Sequence, residues 1–273
     1  MILLYDRRHM DLKPDWKIEL APGVDQLFAK AQIDPSQAFS DPRIQVWRDL
    51  PERQNCYLDL TLGGAKPMRL HIKRFKPPHG QDARREVDGI RLLNAFDIAT
   101  VPLMAWGTHP DGRSFLMTRD LAGFVPADRL IRETKCYQEL APHIANVAAR
   151  LHSCRLHHRD LYLCHFLVRR NSGKVAGAPY AIHLIDAGRV SRLPIFPFNL
   201  RWIVKDLAQL MFSLSQLEIP PAQRRILLDH YFAAANIPLG RFARWLIPLK
   251  VAAIARHDRQ LARRQPTRNI SID

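Results

Sequence analysis

The spacing of the apolar residues changes once along this 273-residue chain, near residue 120, and that change limits the fold more than any other feature. Before it, "RIQVWRDL" (43–50), "NCYLDLTL" (55–62) and "MRLHIKRF" (68–75) alternate apolar with polar residues, the period of half-buried strands, with "GGAK" as a turn between the last two. "VPLMAWGT" and "SFLMTRDL" read as two more strands around the turn "HPDGR". Between the two groups, Val87, Ile90, Leu92 and Leu93 recur at helical spacing behind Asp82, which is expected as the N-cap. The first forty residues read as a helix around "GVDQLFAKAQID" and a proline-containing loop. After residue 120 the period becomes helical: Leu140, Ile144, Val147, Ala148 and Leu151 share one face. Two short strands, "HFLVRR" and "YAIHLIDA", follow around "NSGKVAGAP", and the remainder is helical with breaks at Pro220, Pro221 and Pro238. The expected class is α+β: a small antiparallel five-stranded lobe with one helix (1–116), a connector (117–121) and a mainly helical lobe (122–273).

The residues of "LHSCRLHHRDLYLCHFLVRR" (151–170) raise a choice between a metal cluster and a catalytic loop. Zinc needs four converging ligands, usually in CxxC or HxxxH pairs. His152 and Cys154 lie two apart and diverge, and adjacent His157 and His158 point different ways, so these residues are expected to pack rather than ligate. Asp160 is different. "HRD" between a buried helix and a short strand is the setting of a kinase catalytic loop, where a carboxylate orients an acceptor hydroxyl and takes its proton. Asp186 in "LIDAG" follows an apolar strand and precedes a glycine, as a magnesium-holding acid would. Lys73 on the third strand and Glu86 on the helix after it match the pair that positions the α and β phosphates of ATP. Each alone reads more readily as a surface charge or turn residue; four in order on the right elements do not.

Together "HHRDLYLCHFL", "HLIDAGRV" and "WRDLPERQNCYLDL…HIKRF" resemble the lipopolysaccharide core heptose kinases and Kdo kinases, a protein-kinase-like family, from about residue 40 to 235. The resemblance implies a two-lobe kinase fold that moves the γ-phosphate of ATP, with Mg2+, onto a sugar hydroxyl of the lipopolysaccharide inner core. It makes Asp160 the catalytic base, Asp186 the metal ligand, and Lys73 with Glu86 the phosphate holders. The backbone of residues 117–119, including Met117 and Thr118, becomes the adenine-holding hinge. Asp206 in "VKDLAQLMFSL" becomes the buried acid that braces the loop, with His158 and Arg159 as loop supports. Three departures from protein kinases stand out. "LPERQN" occupies the place of the glycine-rich turn, so Arg53 or backbone amides are expected to cover the phosphates. His165 stands at the second metal position and counts as a candidate ligand, but imidazole serves magnesium poorly, so either one metal suffices or His165 orients Asp186 or a phosphate. "DAG" lacks the phenylalanine of the DFG switch. A protein or small-molecule acceptor, or a binding module without turnover, remains an alternative.

Composition is that of a soluble globular protein, 47% hydrophobic and 25% charged. The four cysteines show no paired spacing, so reduced thiols and a cytoplasmic location are expected, and no signal peptide or membrane span is read. The net charge of +15 favours polyanions. Dispersed arginines without a zinc-finger or RNP pattern argue against nucleic acid, leaving an anionic lipopolysaccharide precursor and a peripheral contact with an anionic membrane as expected partners. Arg241, Arg244, Lys250, Arg256, Arg259, Arg263 and Arg264, interleaved with Trp245, Leu246, Leu249 and Ile254, form either an amphipathic surface helix or, the favoured reading, a lobe helix with solvated arginines.

Overall fold

The computed structural model describes residues 15–61, 67–171, 179–235 and 241–264, apart from the side chains of residues 241, 242, 262 and 264. The "GGAK" turn, most of "NSGKVAGAP", Pro238 and the side chains of Arg241 and Arg264 lie outside the described residues. The chain divides into two compact units, residues 1–90 with 101–121, and residues 91–100 with 122–273.

The first unit contains β1 (Lys17–Leu20), α1 (Val24–Lys30), β2 (Gln45–Asp49), β3 (Arg53–Leu60), β4 (Met68–Phe75), the start of α2 (Gln81–Ala95), β5 (Leu103–Thr108) and β6 (Ser114–Arg119). Its sheet runs β1-β5-β6-β4-β3-β2. All five expected strands form, and the antiparallel β2-β3-β4 meander is present. The expected strand count is corrected to six. "KIEL" adds an edge strand antiparallel to β5, pairing Lys17 with Thr108 and Leu20 with Ala105. Four residues carry too little alternation to announce a strand; the exposed edge of β5 supplies the backbone partners. Phe28 of α1 and Leu70, Ile72, Phe115 and Met117 of β4 and β6 meet in one buried core. Val87 and Ile90 of α2 are buried as their spacing requires. Asp82 is not the N-cap: α2 begins at Gln81, and Asp82 sits in its first turn, where a carboxylate still favours the helix dipole and pairs with Arg85 at 2.7 Å. The "HPDGR" turn closes with Gly112 at φ 88°, a left-handed conformation that glycine adopts without steric cost.

The second unit adds β7 (Val125–Pro126), α3 (Ala127–Thr134), α4 (Tyr137–Ser153), β8 (Leu156–His157), β9 (Phe166–Arg170), β10 (Tyr180–Leu184), β11 (Ser191–Arg192), α5 (Leu200–Gln216), α6 (Pro221–Ala234) and α7 (Arg241–Arg264). α4 packs on α6, and α5 on α7. Leu140, Ile144, Ala148 and Leu151 of α4 are fully buried, and Val147 partly so. Strands β9 and β10 pair antiparallel from Phe166 with Leu184 to Arg170 with Tyr180, while β8 pairs with β11. These two short ladders bring "HRD" and "DAG" together. α7 buries Ala243 and Ile247 and leaves Trp245 and Leu249 exposed, with Arg244 donating to Asp229 at 2.8 Å. No helix among the described residues is long and apolar enough to cross a membrane.

Candidate active site

In the second unit, three segments meet at "HRD". Asp206, fully buried on α5, accepts hydrogen bonds from the backbone N–H of His158 (2.7 Å) and of Arg159 (2.8 Å), and lies 3.3 Å from Nε2 of His152. Burial alone would raise its pKa, but the bonds from His152 and the His158 amide outweigh it and hold the carboxyl below its usual range. An ionised acid thus pins the loop from below. His152 passes its other nitrogen to the Tyr231 hydroxyl at 2.7 Å, tying α4, α5 and α6 together.

The pinned loop turns sharply at Arg159, whose φ of 70° lies in the left-handed region and presents Asp160 outward. The Arg159 guanidinium stacks 4.5 Å over Trp202, and its carbonyl accepts from Lys205 Nζ and from Gln209 Nε2. Both Asp160 carboxylate oxygens accept from Arg189 Nη1 at 3.1 Å, and Lys205 Nζ lies 3.9 Å from Oδ1. His158 is buried and donates Nε2–H to the carbonyl of Ile185, which joins "HRD" to "LIDAG". Asp186 itself has φ 59° and ψ 55°, left-handed again, at the start of a short 3-10 turn over Ala187–Arg189.

His165 lies between the Asp160 backbone and the Asp186 carboxylate. Its Nδ1–H donates to the Asp160 carbonyl at 2.7 Å, and its Nε2 faces Asp186 Oδ2 at 3.7 Å. Burial opposes a charge on this ring, but the Cys164 sulfur, the Asp186 carboxylate and the Asp160 carbonyl outweigh it and raise the pKa to about 9. Imidazole serves magnesium poorly, and the approach of Nε2 to Asp186 suits the orientation of that carboxylate. The oxygen donor at hand for magnesium is Asp186, whose side chain is one-third exposed. Among the described residues no group of three His, Cys, Asp or Glu converges as a metal site.

The other residues singled out from the sequence lie in the first unit. Lys73 Nζ donates to Glu86 Oε1 at 2.6 Å, with the glutamate nearly buried and the lysine partly exposed. Arg53 stands two rungs along the sheet from this pair: it faces Phe75, and its Nε donates to Asn55 at 3.2 Å. The "LPERQN" turn is held by Lys76, which donates to Leu50 O at 2.9 Å and pairs with Asp49 at 2.5 Å. Met117 and Thr118 lie within β6 with buried side chains, and their backbone pairs with β4 on one edge and β5 on the other. Arg189, Lys205 and Gln209 were not singled out from the sequence, although Lys205 and Gln209 sit one turn apart beside Asp206, a spacing that places both on one helix face.

The crowd of histidines has a measurable consequence. Burial pushes the pKa of His157 down to about 4, and that of His158 downward, and each ring has a buried Nδ1 with no hydrogen-bond partner. A proton added there is unsupported, so the unfolded chain binds more protons between its ordinary pKa and the depressed one. The stability these two rings contribute is therefore complete above about pH 6.5 and falls toward pH 4, with His157 accounting for up to ~3 kcal/mol of that fall. In His157→Gln, the loss of unfolding free energy between pH 7 and 4.5, measured by urea denaturation, is expected to shrink by a large part of that amount. An unchanged pH slope would contradict it.

A family model described as the lipopolysaccharide kinase (Kdo/WaaP) family matches residues 69–231, more than half of the chain. The chain is 30% identical over 227 residues to the lipopolysaccharide core heptose(I) kinase WaaP of Escherichia coli, spanning 74% of this chain and 82% of that protein. It is 27% identical over 161 residues to the WaaP of Pseudomonas aeruginosa, with 55% of this chain and 59% of that protein covered, so it matches about three-fifths of that relative's length. Among solved structures, "WaaP in complex with acyl carrier protein" shares the fold at a TM-score of 0.60, with 24% identity over 90% of this chain and 98% of that one. An aminoglycoside-3'-phosphotransferase of type VIII does so at 0.53, with 16% identity over 77% and 93%. With its kinase-like fold and its paired loop acids, the chain belongs to the lipopolysaccharide kinase (Kdo/WaaP) family.

Proposed function

We infer that this protein transfers the γ-phosphate of ATP to a hydroxyl of the lipopolysaccharide inner core, a heptose hydroxyl by similarity to its named relatives. The observation that supports the reading is the placement of His165, whose Nδ1 donates to the Asp160 backbone carbonyl while its Nε2 faces the Asp186 carboxylate. In this reading the Asp160 carboxylate accepts the proton of the attacking hydroxyl as its oxygen bonds to the γ-phosphorus, and the bond from that phosphorus to the bridging oxygen of ADP breaks. Asp186, held by His165, binds magnesium, which neutralises charge on the phosphates. Lys73, held by Glu86, is assigned to the α and β phosphates, the backbone of residues 117–119 to adenine, and Arg53 to covering the phosphates. Asp206, His158 and Arg159 keep the loop in shape. The net charge of +15 suits an acidic acceptor and peripheral attachment to the cytoplasmic face of the inner membrane.

The test offers the purified protein ATP and magnesium with a delipidated core oligosaccharide that lacks phosphate on its heptose, and with a generic protein in parallel. The expected product is the oligosaccharide heavier by one phosphate on mass spectrometry. Phosphate on the protein substrate alone would replace the sugar acceptor, and nucleotide binding without ATP consumption toward any acceptor would leave a binding module.

A further inference from the structure

Between Asp186 and Asp206 the chain runs for 19 residues with four basic residues, Arg189, Arg192, Arg201 and Lys205, and no acid. In the middle of this stretch Ile195, Phe196 and Phe198 are 70%, 70% and 64% exposed. Single exposed apolar residues are ordinary, but three large ones within four positions at the tip of one turn form a contiguous patch that water does not favour.

The outward placement is built in. Leu193 is buried, and its N–H donates to the Arg155 carbonyl at 2.7 Å; Arg155 Nη2 in turn reaches the Pro194 carbonyl at 3.4 Å. Beyond the tip, Phe198 N–H bonds to Ile195 O at 3.0 Å and Leu200 N–H to Pro197 O at 3.1 Å, closing the turn on its own backbone before α5 begins. Both ends of the turn are thus tied to the second unit while the apolar side chains point away from it. Arg155, Arg192 and Arg201, all exposed, flank the base.

We propose that this turn is a membrane-docking element: Ile195, Phe196 and Phe198 enter the interfacial layer of an anionic bilayer while Arg155, Arg192 and Arg201 meet the lipid phosphates. An apolar tip inside a basic rim is the arrangement that gains from both burial and headgroup charge. The absence of any acid in the stretch suits an anionic surface. The inference rests on the peripheral-membrane part of the function proposed above and names the surface that achieves it. It does not depend on which hydroxyl is phosphorylated.

The test is flotation of the full chain with vesicles of phosphatidylethanolamine and phosphatidylglycerol, against vesicles of phosphatidylcholine alone. The wild type is expected to float with the anionic vesicles, less so as salt is raised. The double variant Phe196→Ser, Phe198→Ser should partition at least about tenfold more weakly, because the burial part of the attraction is gone. It should keep the wild-type melting temperature and the wild-type rate on a soluble oligosaccharide. Arg192→Glu should weaken binding to anionic vesicles only. Equal flotation of the double variant and the wild type would overturn the proposal. So would a wild type that ignores anionic vesicles, in which case the patch serves a protein partner. A chain that floats through this turn yet phosphorylates no acceptor would overturn the kinase reading and leave the docking surface standing.

Discussion

Asp160→Asn is expected to slow phosphate transfer by roughly 10²–10⁴-fold, the range for losing a positioned general base. The amide keeps the size of the side chain and one oxygen, but it cannot take the proton of the acceptor hydroxyl at neutral pH. Stability should hardly change. The carboxylate's close partner is the Arg189 guanidinium, itself half exposed, and an ion pair in that position contributes about 0–1 kcal/mol. Arg189 donates to both carboxylate oxygens, so in the proposed reaction it would limit the direction from which a hydroxyl approaches. The measurement is the initial rate of transfer to the core oligosaccharide, with nucleotide affinity and thermal unfolding recorded for the same variant. Near-normal turnover would remove Asp160 from the base role, whatever the other two measurements gave.

What was legible in the sequence follows from the range of the interactions that encode it. β2 to β6 and α4 declare themselves through local periodicity, and "MRLHIKRF" coincides with β4 from end to end. "KIEL" was not legible as a strand, because its pairing partner lies some ninety residues away on β5. The two-residue strands β7, β8 and β11 are products of long-range contact and carry no pattern of their own. At the site, Asp160 and Asp186 could be picked out because short motifs surround them, and Asp206 because it interrupts an apolar helix face. The partners of Asp160 were harder. Arg189 reaches it across 29 positions and Lys205 across a helix, and no local pattern marks a basic residue as facing an acid rather than water. His165 shows the limit most clearly: its position suggested either a metal ligand or a group that orients Asp186, and its contacts with the Asp160 carbonyl and with Asp186 arise only when the loop folds. The exposed turn at Ile195–Phe198 could have been noticed as an acid-free stretch, but exposure is a property of the fold.

The second large effect falls on stability. Asp206→Ala is expected to destabilise the protein by about 3–5 kcal/mol, as removing one partner from a buried charged network does. The carboxylate is fully buried, and its loss strands the buried amide of His158 and ring nitrogen of His152 together with the partly buried amide of Arg159. Each buried donor left without an acceptor costs about 1–3 kcal/mol. Asp206→Asn separates the two contributions to that loss: its single oxygen can satisfy one amide, while its NH2 group opposes the other donors, so it should fall between alanine and wild type. Urea unfolding at pH 7 reads the effect as a lower midpoint with an unchanged slope. Transfer activity should fall as well, because the backbone that carries Asp160 is held by these same bonds, and this distinguishes Asp206 from Asp160, where activity falls and the midpoint stays. An alanine variant as stable as the wild type would mean that the loop is held from elsewhere, by Lys205 and Gln209 on the Arg159 carbonyl and by His158 on Ile185.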